Sequence, residues 1–422
     1  MHQASVSVAA VGVAPADDPA RAVRQGGPRA LAAAMAQTRA DTLATFAAWE
    51  QALPDLKVPQ RADLNPPSWE LGHIGWFQTH WLARNPQRHL GCEADPAAVM
   101  PAPDDALYDS SRVPHAERWS LPLPGAPALR RQLADQLGQS LALLAALPDD
   151  ADPAALYFFR LAVLHEDMHH EAALYMARAL GVPVTDARWQ ARALPAAGEP
   201  LRLPAGPWRL GSAAGEGFAF DNELPAHELA LPAIEIDASA RTWADYLPFI
   251  EDGGYRSPRW WDEPGRAWLR ASGASAPRYL RREGGGWLHW LQGGWQALDP
   301  RQAACHLSAH EARAWCRWAG RQLPTEAQWE RAALTAGPAF RWGDVWEWTA
   351  SGFGPFAGFR AHPYRDYSAP FFDGRPVLRG ASCLTQPRVR HPRYRNYFPP
   401  DRSDIPAGFR SCALQAPPGN HP

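Results

Sequence analysis

The 422-residue chain has five cysteines, one lysine and no long hydrophobic run. The cysteines are scattered and form no C-x-x-C pair, which argues against a disulfide framework or a zinc knuckle and fits a reducing compartment. A membrane-spanning helix needs about 18 consecutive apolar residues, and none occurs. The N-terminal segment also lacks the basic region and apolar core of a signal peptide. We therefore expect a cytoplasmic protein.

An excess of positive charge is also missing, because the formal net charge is −2. Proteins that bind nucleic acid or an anionic membrane surface usually present a basic face, so neither partner is expected. Small-molecule substrates remain, acted on by a monomer or homodimer. In contrast, tryptophan is abundant, with 20 residues. Most of these rings must pack in cores, but some could line a pocket that holds a quaternary ammonium group by cation–π contact.

The pattern of apolar residues changes along the chain and predicts two domains between short tails. Apolar residues at helical spacing predict helices over 27–52, 66–85, 129–147 and 153–180. Four such helices form an up-and-down bundle. Later sequence is rich in Gly, Pro and Trp, with short β-like runs and two helical patterns at 242–251 and 308–319, which predicts a mixed α+β domain. The expected divisions are a disordered tail at 1–26, the bundle at 27–182, a linker at 183–200, the α+β domain at 201–415 and a tail at 416–422.

The last bundle helix carries the strongest chemical signal, in the sequence LAVLHEDMHHEAALYMARAL at 161–180. His165 and His169 are four residues apart, so they lie on one face and can share a first-row metal ion. Glu166 points roughly 100° away and is a poor co-ligand. The pattern His-Glu-x-x-His also occurs in zinc proteases, where the Glu is the general base. A polar seam without a metal is a further alternative.

The second predicted helix offers a third metal ligand. His73 and His80 lie on one stripe but are about 10.5 Å apart along the axis, at about 1.5 Å per residue. They cannot both reach an ion held by His165 and His169. The spacing slightly favours His73, and we interpret His80 as a packing residue.

Motifs in both parts of the chain resemble known families. Five segments are similar to the formylglycine-generating-enzyme/sulfatase-modifying-factor fold, a C-type-lectin-like domain: DGGY (252–255), SAHEARAWCRWAGRQLPTEAQWERAA (308–333), WGDVWEWTAS (342–351), VLRGAS (377–382) and AGFR (407–410). Two others, SWELGHIGWF (68–77) and HEDMHHE (165–171), resemble the DinB-like four-helix bundle that precedes that domain in ergothioneine-type sulfoxide synthases. The resemblance implies an α+β multidomain protein of this group.

The resemblance also implies a cofactor and a reaction. In that family one histidine of the second helix and two of the HxxxH helix hold non-heme Fe(II), which corresponds to His73, His165 and His169 here. The enzymes use O2 and form a bond between a chalcogen donor and C2 of the imidazole of hercynine, the trimethylated betaine of histidine. Three imidazoles also accept Zn, Cu and Ni, so the residues alone leave the metal open.

Substrate contacts follow from the same resemblance. The segment YRNYF at 394–398 is similar to the hercynine-binding segment, which places Asn396 at the carboxylate and Tyr397 with Phe398 at the trimethylammonium group. The catalytic tyrosine corresponds to Tyr367, with Tyr364 as second choice. The AFDNE motif around 221–223 is interpreted as mainly structural.

Two departures from the family pattern concern the chalcogen donor. The usual HEQQH reads HEDMH here, so Met168 replaces a glutamine that contacts hercynine and cannot make its hydrogen bonds. The loop at 106–124 lacks the usual R-G-x-x-x-R-P pattern for amino-acid carboxylates. It offers instead a set that suits a polyol as well as an amino acid, with ordinary surface-loop residues as the alternative: Tyr108, Asp109, Ser110, Ser111, Arg112 and Arg118.

These departures resemble the selenoneine synthase branch of the group, in which the donor is a seleno-sugar. The sequence therefore favours selenoneine biosynthesis, and a sulfoxide synthase that uses cysteine or γ-glutamylcysteine is the alternative. A formylglycine-generating enzyme would need a cysteine pair after a G-G-S-W segment. Here GASCLT at 380–385 has Cys383 at the Trp position, and the next cysteine is Cys412. A non-catalytic lectin-like binding protein is a further alternative.

Overall fold

The computed structural model describes residues 18–414. Its α-helices are α1 (Pro19–Gln25), α2 (Pro28–Ala52), α3 (Pro67–Trp81), the single turn α4 (Asp105–Tyr108), α5 (Ala126–Ala145), α6 (Tyr157–Leu180), α7 (Trp243–Glu251), α8 (Glu263–Ser272), α9 (Ala309–Trp318) and α10 (Glu326–Thr335). No helix in this part of the chain is long and apolar enough to cross a membrane.

Among the described residues, the strands all follow residue 200, in the α+β domain that is called the second half below. They are β1 (Leu201–Leu203), β2 (Gly206–Leu210), β3 (His227–Leu231), β4 (Ile234–Ile236), β5 (Leu280–Glu283), β6 (Gly286–Leu291), β7 (Gly294–Ala297), β8 (Arg321–Gln322), β9 (Trp346–Gly352), β10 (Pro376–Gly380), β11 (Asn396–Tyr397), β12 (Ala407–Gly408) and β13 (Cys412–Ala413). They form sheets in the orders β1-β4-β13-β8, β11-β10-β9-β12, β2-β3 and β5-β6-β7.

Helices α2, α3, α5 and α6 form the bundle, in which α2 packs on α5 and α6, and α3 packs on α5 and α6. Proline in the first turn starts α2, α3 and α5, where a missing N–H leaves no helical bond unmade. Helix α6 ends at Gly181, whose φ of 74° is the left-handed conformation that glycine adopts readily. The helices lie close to the spans that the apolar periodicity predicts.

The second half is built around the β11-β10-β9-β12 sheet. Strand β10 is antiparallel to β9 and β11, whereas β12 runs parallel to β9. A capping box of Ser308 and Glu311 starts α9, and similar boxes start α7 and α10. The structure has two further helices here, α8 and α10, in addition to the two helical patterns expected from the sequence. In α8, Pro264 and Gly265 lie in the first turn, and this pair is more typical of a turn than of a helix, which hides the helical pattern in the sequence.

The N-terminal segment differs from the predicted disordered tail at 1–26. Residues 18–25 include α1, whose buried Arg24 donates to both carboxylate oxygens of Glu223 at 2.7 and 2.9 Å. This long-range ion pair cannot be read from local composition. Residues 1–17, and with them most of the predicted tail, lie outside the described part, as do residues 415–422.

A polar network joins the bundle to the second half along one side of α6. Arg388 donates to both carboxylate oxygens of Asp167 at 2.8 Å and to Asp41 at 3.1 Å. His170 is hydrogen-bonded to Gln386 at 2.6 Å, and Glu171 accepts from Ser382. All these groups are buried. The network therefore fixes the orientation of α6, and with it the direction in which its histidines point.

Candidate metal centre

Three histidines from two helices meet at the edge of the bundle. His73 lies on α3 and His165 with His169 on α6, and one ring nitrogen from each lies within 4.8 Å of the others. His80 is not part of this group; its ring packs between Trp76 and Trp81, with centroids 4.8 Å from each. The arrangement matches the three ligands implied by the family resemblance.

Hydrogen bonds leave one imidazole nitrogen of each ligand candidate available. Nδ1 of His73 donates to the Tyr108 carbonyl at 2.7 Å, and Nδ1 of His169 donates to Glu70 Oε2 at 2.6 Å. Each of these two rings therefore has a lone pair at Nε2. His165 has no hydrogen-bond partner at either nitrogen, although it is only 2% exposed. Buried polar atoms are normally paired, so an ion is the partner that this geometry suits.

The surroundings of His73 and His165 disfavour the protonated form, and a neutral imidazole is the form that binds a metal. Burial, together with the neighbouring His169, lowers the pKa of His73 to about 3. Burial lowers the pKa of His165 well below its usual value. Aromatic rings fix both side chains, since Phe77 stacks on His165 with centroids 3.5 Å apart and Trp69 stacks on His73 at 4.6 Å. A pre-oriented set of three imidazoles fits Fe(II) and similar ions.

The histidines open onto a cavity of about 520 Å³ between the bundle and the second half. A cavity of this size accommodates one or two small substrates. His165 and His169 lie in its wall, and most of the predicted site residues line it: Ser110, Ser111, Arg118, Met168, Tyr364, Tyr367, Asn396, Tyr397 and Phe398.

The two candidate catalytic tyrosines occupy different places in this cavity. The ring of Tyr364 lies edge-on to Phe77 at 4.9 Å and is 6.1 Å from the His165 ring, so it is close to the metal-ligand candidates. The Tyr367 hydroxyl donates to the Tyr394 hydroxyl at 3.1 Å, which in turn donates to Met168 Sδ at 3.1 Å. Burial raises the pKa of both Tyr364 and Tyr367, so each keeps its proton at neutral pH.

The predicted hercynine contacts are held by their neighbours. Asn396 Oδ1 accepts from the Tyr397 N–H at 2.9 Å, which leaves the Nδ2–H donors for a carboxylate. Tyr397 stacks on Phe353 with centroids 3.9 Å apart, and Arg402 lies 4.9 Å from the Phe398 ring centroid. One face of each predicted aromatic is thus covered, and a trimethylammonium group has to meet the remaining face or the edge.

Three predicted substrate residues do not line the cavity, which corrects the sequence prediction. Tyr108 is buried against α3, where a Cβ on Gly72 would come within 2.1 Å of its ring. Asp109 binds Ser111 at 2.6 Å and forms a surface ion pair with Arg112, whose side chain is 70% exposed. Contacts with neighbouring residues occupy these side chains, and a sequence pattern of polar residues cannot show such contacts.

The neighbouring residues weigh against the other chemistries considered. Glu166 is buried and donated to by Arg39 at 2.7 and 3.0 Å, on a different side of α6 from the histidines, so it is not placed as the general base of a zinc protease. Cys383 lines other cavities, and Cys412 is buried in β13. None of the cysteines lines the cavity beside the histidines. The AFDNE motif is structural here: Asp221 and Asn222 bind Ser368, next to Tyr367.

Sequence reasoning missed two polar residues at the site. Glu70 was not assigned a role, although it lies three residues before His73 on the same face of α3, a spacing that could have pointed to it. The sequence indicates no separate role for Tyr394 at the start of the YRNYF segment, yet its hydroxyl lies between Tyr367 and Met168. The contact partners of both residues are on other elements, so their roles depend on the tertiary structure.

Comparison with known proteins defines the class of the second half. Residues 186–344 match the family model of the Sulfatase-modifying factor enzyme 1-like domain. With the helical N-terminal half, this confirms the predicted fold class: a bundle followed by a formylglycine-generating-enzyme-like α+β domain. A Formylglycine-generating enzyme of Streptomyces coelicolor is 28% identical, but the match covers 51% of this chain and 89% of that protein.

Similarity to another group extends over both halves. The chain is 33% identical to the Hercynine oxygenase of Mycolicibacterium thermoresistibile, over 82% of this chain and 87% of that protein. It is 32% identical to the Hercynine oxygenase of Mycolicibacterium smegmatis, over 82% of this chain and 90% of that protein. The chain therefore belongs to the hercynine oxygenase family, the ergothioneine-type enzymes that carry a formylglycine-generating-enzyme-like domain. These relatives give no support to the selenoneine branch in particular.

Proposed function

We propose that this protein is a non-heme Fe(II)- and O2-dependent enzyme that joins a chalcogen donor to C2 of the hercynine imidazole. The observation that carries the proposal is the group of three histidines beside a cavity of about 520 Å³. The hercynine oxygenase relatives support hercynine as substrate, and they favour a thiol donor such as cysteine or γ-glutamylcysteine, the reaction of a sulfoxide synthase.

His73, His165 and His169 would hold the iron, and the remaining residues bind and orient the substrates. Fe(II) held by three imidazoles supplies open coordination positions for O2 and for a soft sulfur or selenium ligand. The Asn396 amide is placed to donate to the hercynine carboxylate, and Tyr397 with Phe398 offers aromatic surface to the ammonium group.

A tyrosine hydroxyl would move the proton that the reaction requires. Tyr367 keeps its proton because burial raises its pKa, and its hydroxyl is linked to Tyr394 at 3.1 Å. This pair offers a short path along which a proton passes between the cavity and Tyr394. Tyr364 is the other candidate because its ring is nearer the histidines, 6.1 Å from His165.

A seleno-sugar is the second candidate for the donor, as the sequence favoured. The observation behind it is the wall of the cavity, where Ser110, Ser111 and Arg118 lie together and Met168 receives hydrogen bonds instead of making them. Two serine hydroxyls beside an arginine suit a polyol at least as well as an amino acid.

The decisive experiment is an anaerobically Fe(II)-loaded assay with hercynine, started with O2 and read by product mass. Cysteine, γ-glutamylcysteine and a 1-seleno-sugar are compared as donors, and His165→Ala protein serves as the control. A sulfoxide product from either thiol supports the sulfoxide synthase, and a product only from the seleno-sugar supports selenoneine synthesis. The absence of product from all three donors with iron bound would overturn the proposal.

A further inference from the structure

A chain of hydrogen bonds runs from the cavity wall to one of the metal-ligand candidates. Arg118, in the cavity wall, donates from Nη1 to Asn65 Oδ1 at 2.9 Å. Asn65 donates from Nδ2 to Glu70 Oε1 at 2.7 Å, and the other oxygen of Glu70 accepts from His169 Nδ1 at 2.6 Å. Three consecutive bonds therefore connect Arg118 with His169.

The same arginine approaches a second ligand candidate through an aromatic ring. The Arg118 guanidinium carbon lies 3.8 Å from the centroid of Trp69. Trp69 is stacked on the His73 imidazole at 4.6 Å with only 11° between the planes, and its Nε1 donates to the Leu107 carbonyl at 2.9 Å. Arg118 is thus separated by one residue from His73 and by two from His169.

Burial makes these contacts costly to break. Glu70 is 1% exposed, and each of its carboxylate oxygens has a partner. A buried carboxylate that lost Asn65 or His169 would be left unpaired, which is strongly unfavourable. The Glu70 carboxylate therefore holds one rotamer, and the His169 ring that donates to it is held in one orientation.

We propose that Glu70 is a positioning residue that keeps Nε2 of His169 turned towards the metal, and that Asn65 and Arg118 connect this positioning to the cavity. The inference rests on the proposed metal site. Asn65 uses only Nη1 of Arg118, and Nε has no partner, so a substrate group that binds this guanidinium shifts the same group that donates to Asn65 and acts on His169 through Glu70. Substrate binding at Arg118 and metal binding at His169 are then coupled.

The test measures Co(II) affinity and the visible Co(II) spectrum of the full-length protein, neither of which requires turnover. Glu70→Ala is expected to weaken Co(II) binding by about 10–100-fold, the usual cost of losing a group that orients a metal ligand. Glu70→Gln keeps an acceptor for His169 Nδ1–H, so its loss is expected to be smaller. This variant also covers the case in which Glu70→Ala fails to fold, which circular dichroism detects.

The connection to the cavity is tested with a double-mutant cycle. Arg118→Met is expected to shift the spectrum and weaken Co(II) binding, but to add nothing in the Glu70→Ala background, because effects along one chain of contacts are not additive. Matched controls are Glu50→Gln and Arg130→Met, which break a 2.6 Å ion pair between α2 and α5 away from the cavity. Both are expected to leave affinity and spectrum unchanged.

Each result has one meaning. A folded Glu70→Ala protein that binds Co(II) within about twofold of the wild type, with an unchanged spectrum, would overturn the positioning role, since losing a group that orients a metal ligand costs about tenfold or more. If only Glu70→Gln folds, an affinity and a spectrum identical to those of the wild type would overturn it. Additive effects of Arg118→Met and Glu70→Ala would overturn the connection. If the wild type and both controls bind no Co(II), the metal site itself is absent. The proposed function then fails together with this inference, a result distinct from loss in the Glu70 variants alone.

Discussion

His165 is the residue whose replacement separates a metal site from a polar seam most directly. Both of its ring nitrogens are buried without a hydrogen-bond partner. His165→Ala is expected to lose iron and activity while it stays folded, because a small apolar side chain needs no partner in this place. Iron content after anaerobic loading is the measurement, and His80→Ala, on the same stripe of α3 as His73 but outside the group, is the control. An iron-loaded, active His165→Ala protein would contradict the assignment.

Tyr367 and Tyr364 are separated by conservative substitution to phenylalanine. A positioned proton donor contributes about 10²–10⁴-fold to a rate. Tyr367→Phe is therefore expected to lower kcat by about 10²-fold or more, with a smaller effect for Tyr394→Phe, which interrupts only the hydrogen bond behind it. Single-turnover rates with saturating hercynine provide the measurement. If Tyr364→Phe shows the large loss and Tyr367→Phe does not, Tyr364 is the donor.

At this scale the sequence predicted what depends on spacing within one element. His165 and His169 follow from the four-residue repeat, and the choice of His73 over His80 from helix geometry and family resemblance. The unused loop residues, Asp109 among them, and the role of Glu70 depend on contacts between elements far apart in the sequence. A pattern of residue types carries no information on those contacts.

Helix α6 is the element on which the site depends, since it supplies two metal-ligand candidates and the polar network to the second half. Its bounds were predictable because its apolar face follows the helical period. Helix α3 is buried nearly all round, and its predicted end lies four residues beyond the observed one at Trp81. Helix α8 has only Gly265 buried, so its sequence gave a weak signal.

The ion pairs on α6 predict a large effect of one distant substitution. Arg388→Met leaves Asp167 and Asp41 buried without their shared cation, and removing one partner of a buried pair costs about 3–5 kcal/mol. The free energy of unfolding from urea titration is the measurement. Arg29→Met breaks an exposed pair with Asp149 and is expected to cost less than about 1 kcal/mol. Equal effects of the two substitutions would contradict the role of the network.

For the whole molecule, the buried network between the halves predicts cooperative unfolding. Arg24 with Glu223 and Arg388 with Asp167 join segments far apart in the sequence, and one hydrophobic cluster contains residues of both halves. We expect a single urea transition, with circular dichroism and tryptophan fluorescence in coincidence. Two separated transitions would show that the bundle and the α+β domain are independently stable.

The order of the two domains was predictable because motifs such as WGDVWEWTAS at 342–351 follow one another along the chain in the order that the family resemblance implies. Their contact surface was not, because it consists of single polar residues, Asp167, His170 and Gln386 among them, that look like ordinary surface positions in a linear sequence. The choice of donor depends on a cavity shared by both domains. For that reason, family resemblance of either domain alone cannot decide it.

The seven consecutive residues at 165–171 are expected to tolerate few substitutions, because each of them makes a specific contact. Two point to the metal site, Met168 faces the tyrosines, and the other four bind Arg39, Arg388, Gln386 and Ser382. The side chains on every side of the helix make contacts in this segment, so a substitution at any of these positions is expected to change one of them. In a saturation library the heptad should be the least diverse stretch among surviving clones. Variation among relatives is expected at Asp167 and Met168, the two positions where HEDMH departs from the usual HEQQH, and a change at Met168 alters the cavity without loss of the fold.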